Sequence, residues 1–289
     1  MVSLIQDASF ENGFKVHGPR HEDGFIADYP SGQDNKQPSV WTIGQWGVYK
    51  NPFTAVTERK ELPSGGYLYE NETLNFSCNA SESGNMLRME CRASGEFHGK
   101  VRTAGDDWPH LLIGQELASG QDLTLGKFEK LIFRAKFRLV YEQNLMSEKD
   151  FDPSIHGAQV HQFITFHDTV SNDFIWFGIP FYDIRQPGLF SGYVGIDGGK
   201  EDASGKLIYI CKQDEFTSTP ASCGEWLDYN IDLLPLVQKA LEQARSMGIF
   251  SRANIENIHA TSTNVGWEMC GECNGTFELK DLSLTAILK

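Results

Sequence analysis

The chain has 289 residues, 40% of them hydrophobic and 12% aromatic, enough to bury a sizeable core. No stretch approaches the ~20 apolar residues that span a bilayer, and a formal net charge of −14 repels a phosphate backbone, which sets aside a membrane span and nucleic acid as expectations. Residues 1–10 lack the basic start and apolar middle of a signal peptide; the expectation is an extracellular or periplasmic protein whose export signal is missing from this chain, with the cytoplasm as the alternative.

In chain order, Leu4 to Phe14 (LIQDASFENGF) reads as an opening strand with a turn-rich Glu-Asn-Gly. Asn12 to Thr73 is dominated by Gly, Pro, Asp and Asn with scattered aromatics, and reads as loop with short strands. Strands are predicted over Asn85–Ala93, His110–Leu117, Leu131–Tyr141, Gln159–Asp168, Asp173–Asp183 and Leu207–Lys212. Leu233, Leu236, Val237, Ala240, Leu241, Ala244 and Met247 then recur at helical spacing. Asp232 can cap that segment, Pro235 fits its first turn and Gly248 can end it, so an amphipathic helix near residues 233–247 is expected to lie over an end or an edge of the sandwich. The closing run, Gly275 to Leu288 (GTFELKDLSLTAIL), alternates Phe277, Leu279, Leu282 and Leu284 with polar neighbours, with one slip at Lys280-Asp281.

These elements predict an all-β sandwich, residues 1–289 forming a single elaborated domain. The chain is nearly twice the length of a minimal sandwich of about 100–150 residues. The surplus falls in loops, the longest being Asn12 to Thr73 and Gln186 to Lys206, and long loops on a rigid scaffold are where binding surfaces are built. Six cysteines form the sequence-local pairs Cys78/Cys91, Cys211/Cys223 and Cys270/Cys273, compatible with local disulfides or with reduced thiols. Cys270-Gly271-Glu272-Cys273 has no second matched pair and reads as a loop or local disulfide rather than a metal or redox site.

The two chain ends resemble the first and last strands of carbohydrate-binding modules with the galactose-binding-like jelly roll, which open on N-x-x-F-E-x-G and close on x-x-D-x-x-L. The stretch HLLIGQELASGQDLTLGKFEKLIFRAKFRLV, with Gln115 and Leu117, is similar to the middle of the same modules. The resemblance touches about a third of the chain and implies a jelly-roll β-sandwich with a carbohydrate ligand. It also implies a structural calcium held by Glu11 and Asp281 with backbone carbonyls, the alternative being a pair of solvated carboxylates; Asp7 is a further candidate ligand that the resemblance itself does not place. The acidic run with Asp197, Glu201 and Asp202 does not fit a calcium loop and reads as a flexible loop.

A sugar site joins an aromatic platform for the C–H faces of a pyranose to polar groups for its hydroxyls. Trp46 in a polar loop and Trp108 between Asp106, Asp107 and His110 are the candidate platforms, whereas Trp176 and Trp267 read as core. On the strand 131–141, Arg134, Lys136 and Arg138 share one face; on the strand 159–168, Gln159, His161, Phe163 and His167 share another. If the two faces adjoin they form a basic, imidazole-lined trough for a uronate; otherwise they are solvated sheet faces.

The function expected first is recognition of a polysaccharide by loop aromatics and a polar sheet face, with Trp46, Trp108, Gln159 and His161 touching the sugar. The alternative is a polysaccharide-degrading enzyme on the same sandwich. As a uronate lyase it would use His161, Arg134, Arg138 and Tyr141, and as a glycoside hydrolase a pair drawn from Asp173, Asp183, Glu225 and Glu268. The lyase patterns R-x-E-x-R and Q-I-H are taken as unmatched, and a protein-binding sandwich remains a third reading.

Overall fold

The computed structural model describes residues 1–30, 37–63, 65–81, 84–118, 120, 122–171, 173–198, 203–250 and 254–289. In chain order the elements are β1 (Val2–Ser3), β2 (Phe14–His17), β3 (Phe25–Tyr29), β4 (Trp41–Gly44), β5 (Arg59–Glu61), β6 (Gly66–Glu70), β7 (Leu74–Ser81), β8 (Gly84–Arg92), α1 (Ser94–Phe97) and β9 (His110–Glu116). There follow β10 (Phe128–Asn144), β11 (Ala158–Asp168), β12 (Asp173–Asp183), β13 (Tyr193–Ile196), β14 (Leu207–Ile210), β15 (Trp226–Asp232), α2 (Leu234–Ser246), β16 (Ile258–Met269) and β17 (Cys273–Leu288).

The strands form two sheets, the jelly-roll sandwich expected from the sequence. One runs β15-β10-β17-β8-β7-β6-β5 with β1 on β17; the other runs β13-β14-β12-β11-β16-β9-β4-β2-β3. Period-two alternation turns Phe133 and Phe137 of β10 and Phe277 of β17 toward the second sheet, where the Phe137 ring stacks on Phe181 at 4.9 Å. Trp267 of β16 closes the core from the opposite side: its ring lies 5.7 Å from Phe277 and its Nε1 donates to the Met89 carbonyl at 3.2 Å. The inward faces of both sheets belong to one continuous apolar core.

The slip at Lys280-Asp281 is a β-bulge. Arg134 pairs with Ser283 and Lys136 with Lys280, leaving an extra residue on β17, and Asp281 sits at φ 58. The bulge keeps Leu279 and Leu282 both buried despite the break in alternation. The helix stands where its spacing predicts. Leu234, Val237, Ala240, Leu241 and Ala244 are buried, Asp232 Oδ1 accepts from Leu234 N at 3.1 Å, and Gly248 at φ 80 ends the last turn.

The opening departs from expectation. Of Leu4 to Phe14 only Phe14, the first residue of β2, lies in a strand, and the pairing with β17 falls just before it at Val2–Ser3; Asp7 Oδ1 and Oδ2 accept from the backbone N–H groups of Glu11 and Asn12 at 2.8 and 3.0 Å, closing a turn instead of a strand. Five strands arise where none was expected: β1, β7, β13, β15 and β16. The sequence of β16, IHATSTNVGWEM, is rich in Thr, Ser and Asn, so it carries no apolar alternation to read. All six cysteines are free thiols; Cys78 lies opposite Leu87 and Cys91 opposite Leu74, which separates the members of that pair along their strands.

Candidate functional site

Residues directly opposite each other on neighbouring strands share a face. On the outer face of the second sheet His161 lies opposite Pro180 and Gly266, Phe163 opposite Gly178 and Asn264, and Gln159 opposite Asp183 and Glu268. A register shift between Val160 and His161 lets Gln159 and His161 keep that face while Phe181 turns into the core. Over this face runs a cleft of about 810 Å³, bounded on one side by Trp46, Trp108 and His110 and on the other by Trp176, Tyr193 and Ile208.

A polar chain crosses the centre. The Arg185 guanidinium clamps Asp183, with Nε 2.8 Å from Oδ1 and Nη2 2.6 Å from Oδ2, and Nη2 also donates to Gln159 Oε1. Gln159 Nε2 donates to Glu268 Oε2 at 3.1 Å, and His110 Nε2 stands 3.9 Å from the same oxygen. Asp183 Oδ1 also accepts from Arg185 N at 2.9 Å, so the tight turn after β12 orients the clamp.

His161 is buried beneath this network, and neither ring nitrogen has a hydrogen-bond partner. The rings of Phe190 and Phe163 lie 5.3 and 5.9 Å from it. Burial pulls its pKa down to about 4; Asp183 and Glu268 oppose the shift and Arg185 adds to it. The imidazole is neutral at pH 7, and leaving its polar atoms unpaired costs roughly 1–3 kcal/mol.

Gln159, His161, Trp46 and Trp108 thus reach one cleft, although they derive from separate segments. Neither tryptophan is bare. Trp46 is seated over Gly44, where a Cβ would come within 2.6 Å of its ring, and His21 stacks on it at 4.5 Å. Trp108 carries the Arg102 guanidinium 4.5 Å from its ring centre and His110 at 5.7 Å. Trp41 and Gln45 of the same segment are fully buried instead: Trp41 Nε1 donates to the Asp7 carbonyl at 2.8 Å, and Gln45 is bonded to the Phe53 backbone.

The faces of β10 and β11 do not adjoin, so the conditional trough does not form and the alternative of separate sheet faces holds. Arg134, Arg138 and Tyr141 stand on β10, in the other sheet from His161. Because Phe133 and Phe137 turn into the core, the cations of β10 face outward on the far side of the sandwich. There Arg138 Nε donates to Glu278 Oε2 at 2.8 Å and Arg134 Nε to Asn230 Oδ1 at 3.1 Å, while Tyr141 is exposed. Trp176, expected in the core, lines the cleft, and Trp267 is core as expected. Of the carboxylates, Asp183 and Glu268 enter the cleft, Asp173 pairs with Lys206 at 2.8 Å, and Glu225 is exposed elsewhere.

Arg185 and Phe190 escaped the sequence reading, being loop residues after a strand. Of the two lyase patterns read as unmatched, R-x-E-x-R is present and Q-I-H is matched in spacing. Gln159-Val160-His161 has the Q-x-H spacing and lies in the cleft; Arg88-Met89-Glu90-Cys91-Arg92 has the R-x-E-x-R spacing, but β8 belongs to the other sheet, where Arg88 pairs with Glu278 at 2.9 Å.

Of the residues expected to hold calcium, Glu11 is exposed and Asp281 Oδ2 lies 3.4 Å from Lys136 Nζ. No group of three or more His, Cys, Asp or Glu placed to hold a metal occurs among the described residues. In the acidic loop, Asp197 Oδ2 accepts from Ser204 N and Oγ at 2.8 and 2.7 Å; Glu201 and Asp202 lie outside the described residues.

No family model and no curated protein matches the chain. Among solved structures, it is similar to the family 11 xylanase from Neocallimastix patriciarum, with 9% identity and a TM-score of 0.40 over 80% of this chain and 95% of that one. It is also similar to a family 12 xyloglucanase from Bacillus licheniformis, with 11% identity and a TM-score of 0.36 over 86% and 100% of the two chains. The xyloglucanase domain of NopAA from Sinorhizobium fredii gives 12% identity and a TM-score of 0.37 over 79% and 100%. Overlap at that level assigns neither activity nor ligand to this chain.

Proposed function

We propose that the cleft over the outer face of the second sheet binds a stretch of polysaccharide chain. The observation that carries this reading is the mixed lining of the cleft: Trp108, Trp176 and Tyr193 bring aromatic surface, and Gln159, Glu268, Asn264 and Ser204 bring donors and acceptors between them. A volume of about 810 Å³ suits several sugar residues rather than one.

A second reading, cleavage of the bound chain, is favoured by one observation: a neutral imidazole with two unpartnered nitrogens lies under Gln159, Arg185 and Glu268. A neutral His161 can accept the C5 proton of a uronate while the Gln159 amide and the guanidinium stabilise charge building on its carboxylate; the C4–C5 double bond then forms as the C4–O bond breaks, and the imidazolium or water gives a proton to the departing oxygen. For this, Phe190 has to move off the imidazole. Two-carboxylate hydrolysis is served less well, because Asp183 is clamped by Arg185 with its side chain 1% exposed, leaving Glu268 at 22%.

The test is incubation of the purified protein with neutral and uronate polysaccharides, reading retention, new reducing ends and the ultraviolet absorbance of unsaturated uronate ends together. Retention without new ends supports binding alone, new ends with absorbance support elimination, and new ends without it support hydrolysis. A protein that retains and cleaves none of the panel refutes the carbohydrate reading.

A further inference from the structure

On the side of the cleft away from Trp108, β12, β14 and β13 set three residues in one row: Trp176 opposite Ile208, and Ile208 opposite Gly195. Tyr193, two residues before Gly195 on the same face, folds back over it; a Cβ on Gly195 would lie within 3.0 Å of three Tyr193 ring and hydroxyl atoms. Trp176 and Gly195 are two strand spacings apart, about 10 Å, with Ile208 between them. An apolar slot with aromatic side chains on both flanks results, and Tyr193, on the edge strand, is 49% exposed.

Trp176 is held in place. Its Nε1 donates to Ser204 Oγ at 3.2 Å, and Ser204 donates from both N and Oγ to Asp197 Oδ2. Phe174 and Phe163 meet the indole edge-on at 5.3 and 6.3 Å. Neither contact stacks on it, unlike those of Trp46 and Trp108, each of which has a parallel histidine neighbour.

We infer that Trp176 and Tyr193 form a remote sugar-binding subsite floored by Ile208, with Ser204 and Asp197 as the residues that position the indole. The inference rests on the carbohydrate reading and adds a length requirement to it. Trp176 stands four residues along β12 from Pro180, the partner of His161, or about 14 Å. A sugar residue in an extended glycan advances by about one strand spacing, roughly 5 Å, so a chain centred over His161 reaches the slot with about its third residue.

Calorimetric titration of the whole protein with 1,4-linked uronate and 1,4-linked glucose oligosaccharides, two to six residues long, tests this. In the native protein one series should gain at least tenfold in affinity between the dimer and the pentamer. Trp176→Ala and Tyr193→Ala should each flatten that gain, Trp176→Phe should restore most of it, and Ser204→Ala should lose about threefold. A length gain that survives intact in folded Trp176→Ala and Tyr193→Ala overturns the subsite while sparing the carbohydrate reading; native protein that binds no member of either series overturns both.

Discussion

Gln159 has both ends of its amide engaged: Oε1 accepts from Arg185 Nη2, and Nε2 donates to Glu268 Oε2 at 3.1 Å. The two neighbours fix its orientation, since the reversed amide would turn its N–H groups on a guanidinium and its oxygen on a carboxylate. One neutral side chain therefore sets the spacing between a clamped cation and the more accessible of the two central carboxylates.

Gln159→Leu removes both bonds and leaves Arg185 and Glu268 to find other partners. The expected result is a loss of about 1–3 kcal/mol in urea unfolding and at least a tenfold loss of glycan retention. Unchanged retention in a folded variant would take Gln159 out of the site.

The burial of His161 makes stability pH-dependent in a defined direction. Its folded pKa of about 4 lies below the ordinary 6.5, so the unfolded chain binds the extra proton between those values and stability falls as pH drops through that window. The loss is of order 3 kcal/mol, complete below pH 4, and Asp183, Glu268 and Arg185 are the charges that face the ring. Urea unfolding of the native protein and of His161→Gln at pH 7.5 and pH 5 isolates the contribution, because the other titrating groups are common to both. Equal pH sensitivity in the two proteins would show that His161 is not held neutral by the fold.

The sandwich is legible because burial imposes alternation: the strand predicted over Asp173–Asp183 is β12 over its full length, and the slip at Lys280-Asp281 coincides with the bulge. The helix is flanked by Asp232, which accepts from Leu234 N, and by Gly248 at φ 80. The cleft was only half legible. Gln159 and His161 stand out as polar residues alternating on an apolar strand, but which sheet each strand joins depends on long-range pairing that no local pattern encodes, so whether the faces of β10 and β11 adjoin was open in the sequence. The strand that supplies Glu268 and Asn264 hid its period in hydroxyl side chains, and Arg185 gained its role only from a turn that folds it back on Asp183.

Gly44 gives a separate handle on the Trp46 side of the cleft. A methyl group there would meet Trp46 Cη2 and Cζ3 at 2.6 Å, so Gly44→Ala must push the indole off its seat and away from His21. The expected outcome is a shift in tryptophan fluorescence and a severalfold loss of glycan retention, with a stability loss of about 1–3 kcal/mol. Retention equal to native alongside a shifted emission would place Trp46 outside the sugar path.

The outward face of β10 should prove structural. Glu278 is 6% exposed and joined to Arg88 and Arg138, whose side chains are 33% and 31% exposed. Removing the shared carboxylate by Glu278→Ala strands two guanidinium groups, but both can turn to water, so the cost should be about 1–3 kcal/mol rather than the larger penalty of a sealed pair. Arg138→Met keeps the Arg88–Glu278 pair and much of the cover over Trp226, whose ring centre lies 4.6 Å from the guanidinium carbon; it should cost about 1 kcal/mol or less. Neither variant touches the cleft, so glycan retention and any turnover should stay at the native level in both. Turnover lost in folded Arg138→Met would return catalysis to the β10 face and remove it from the cleft over His161.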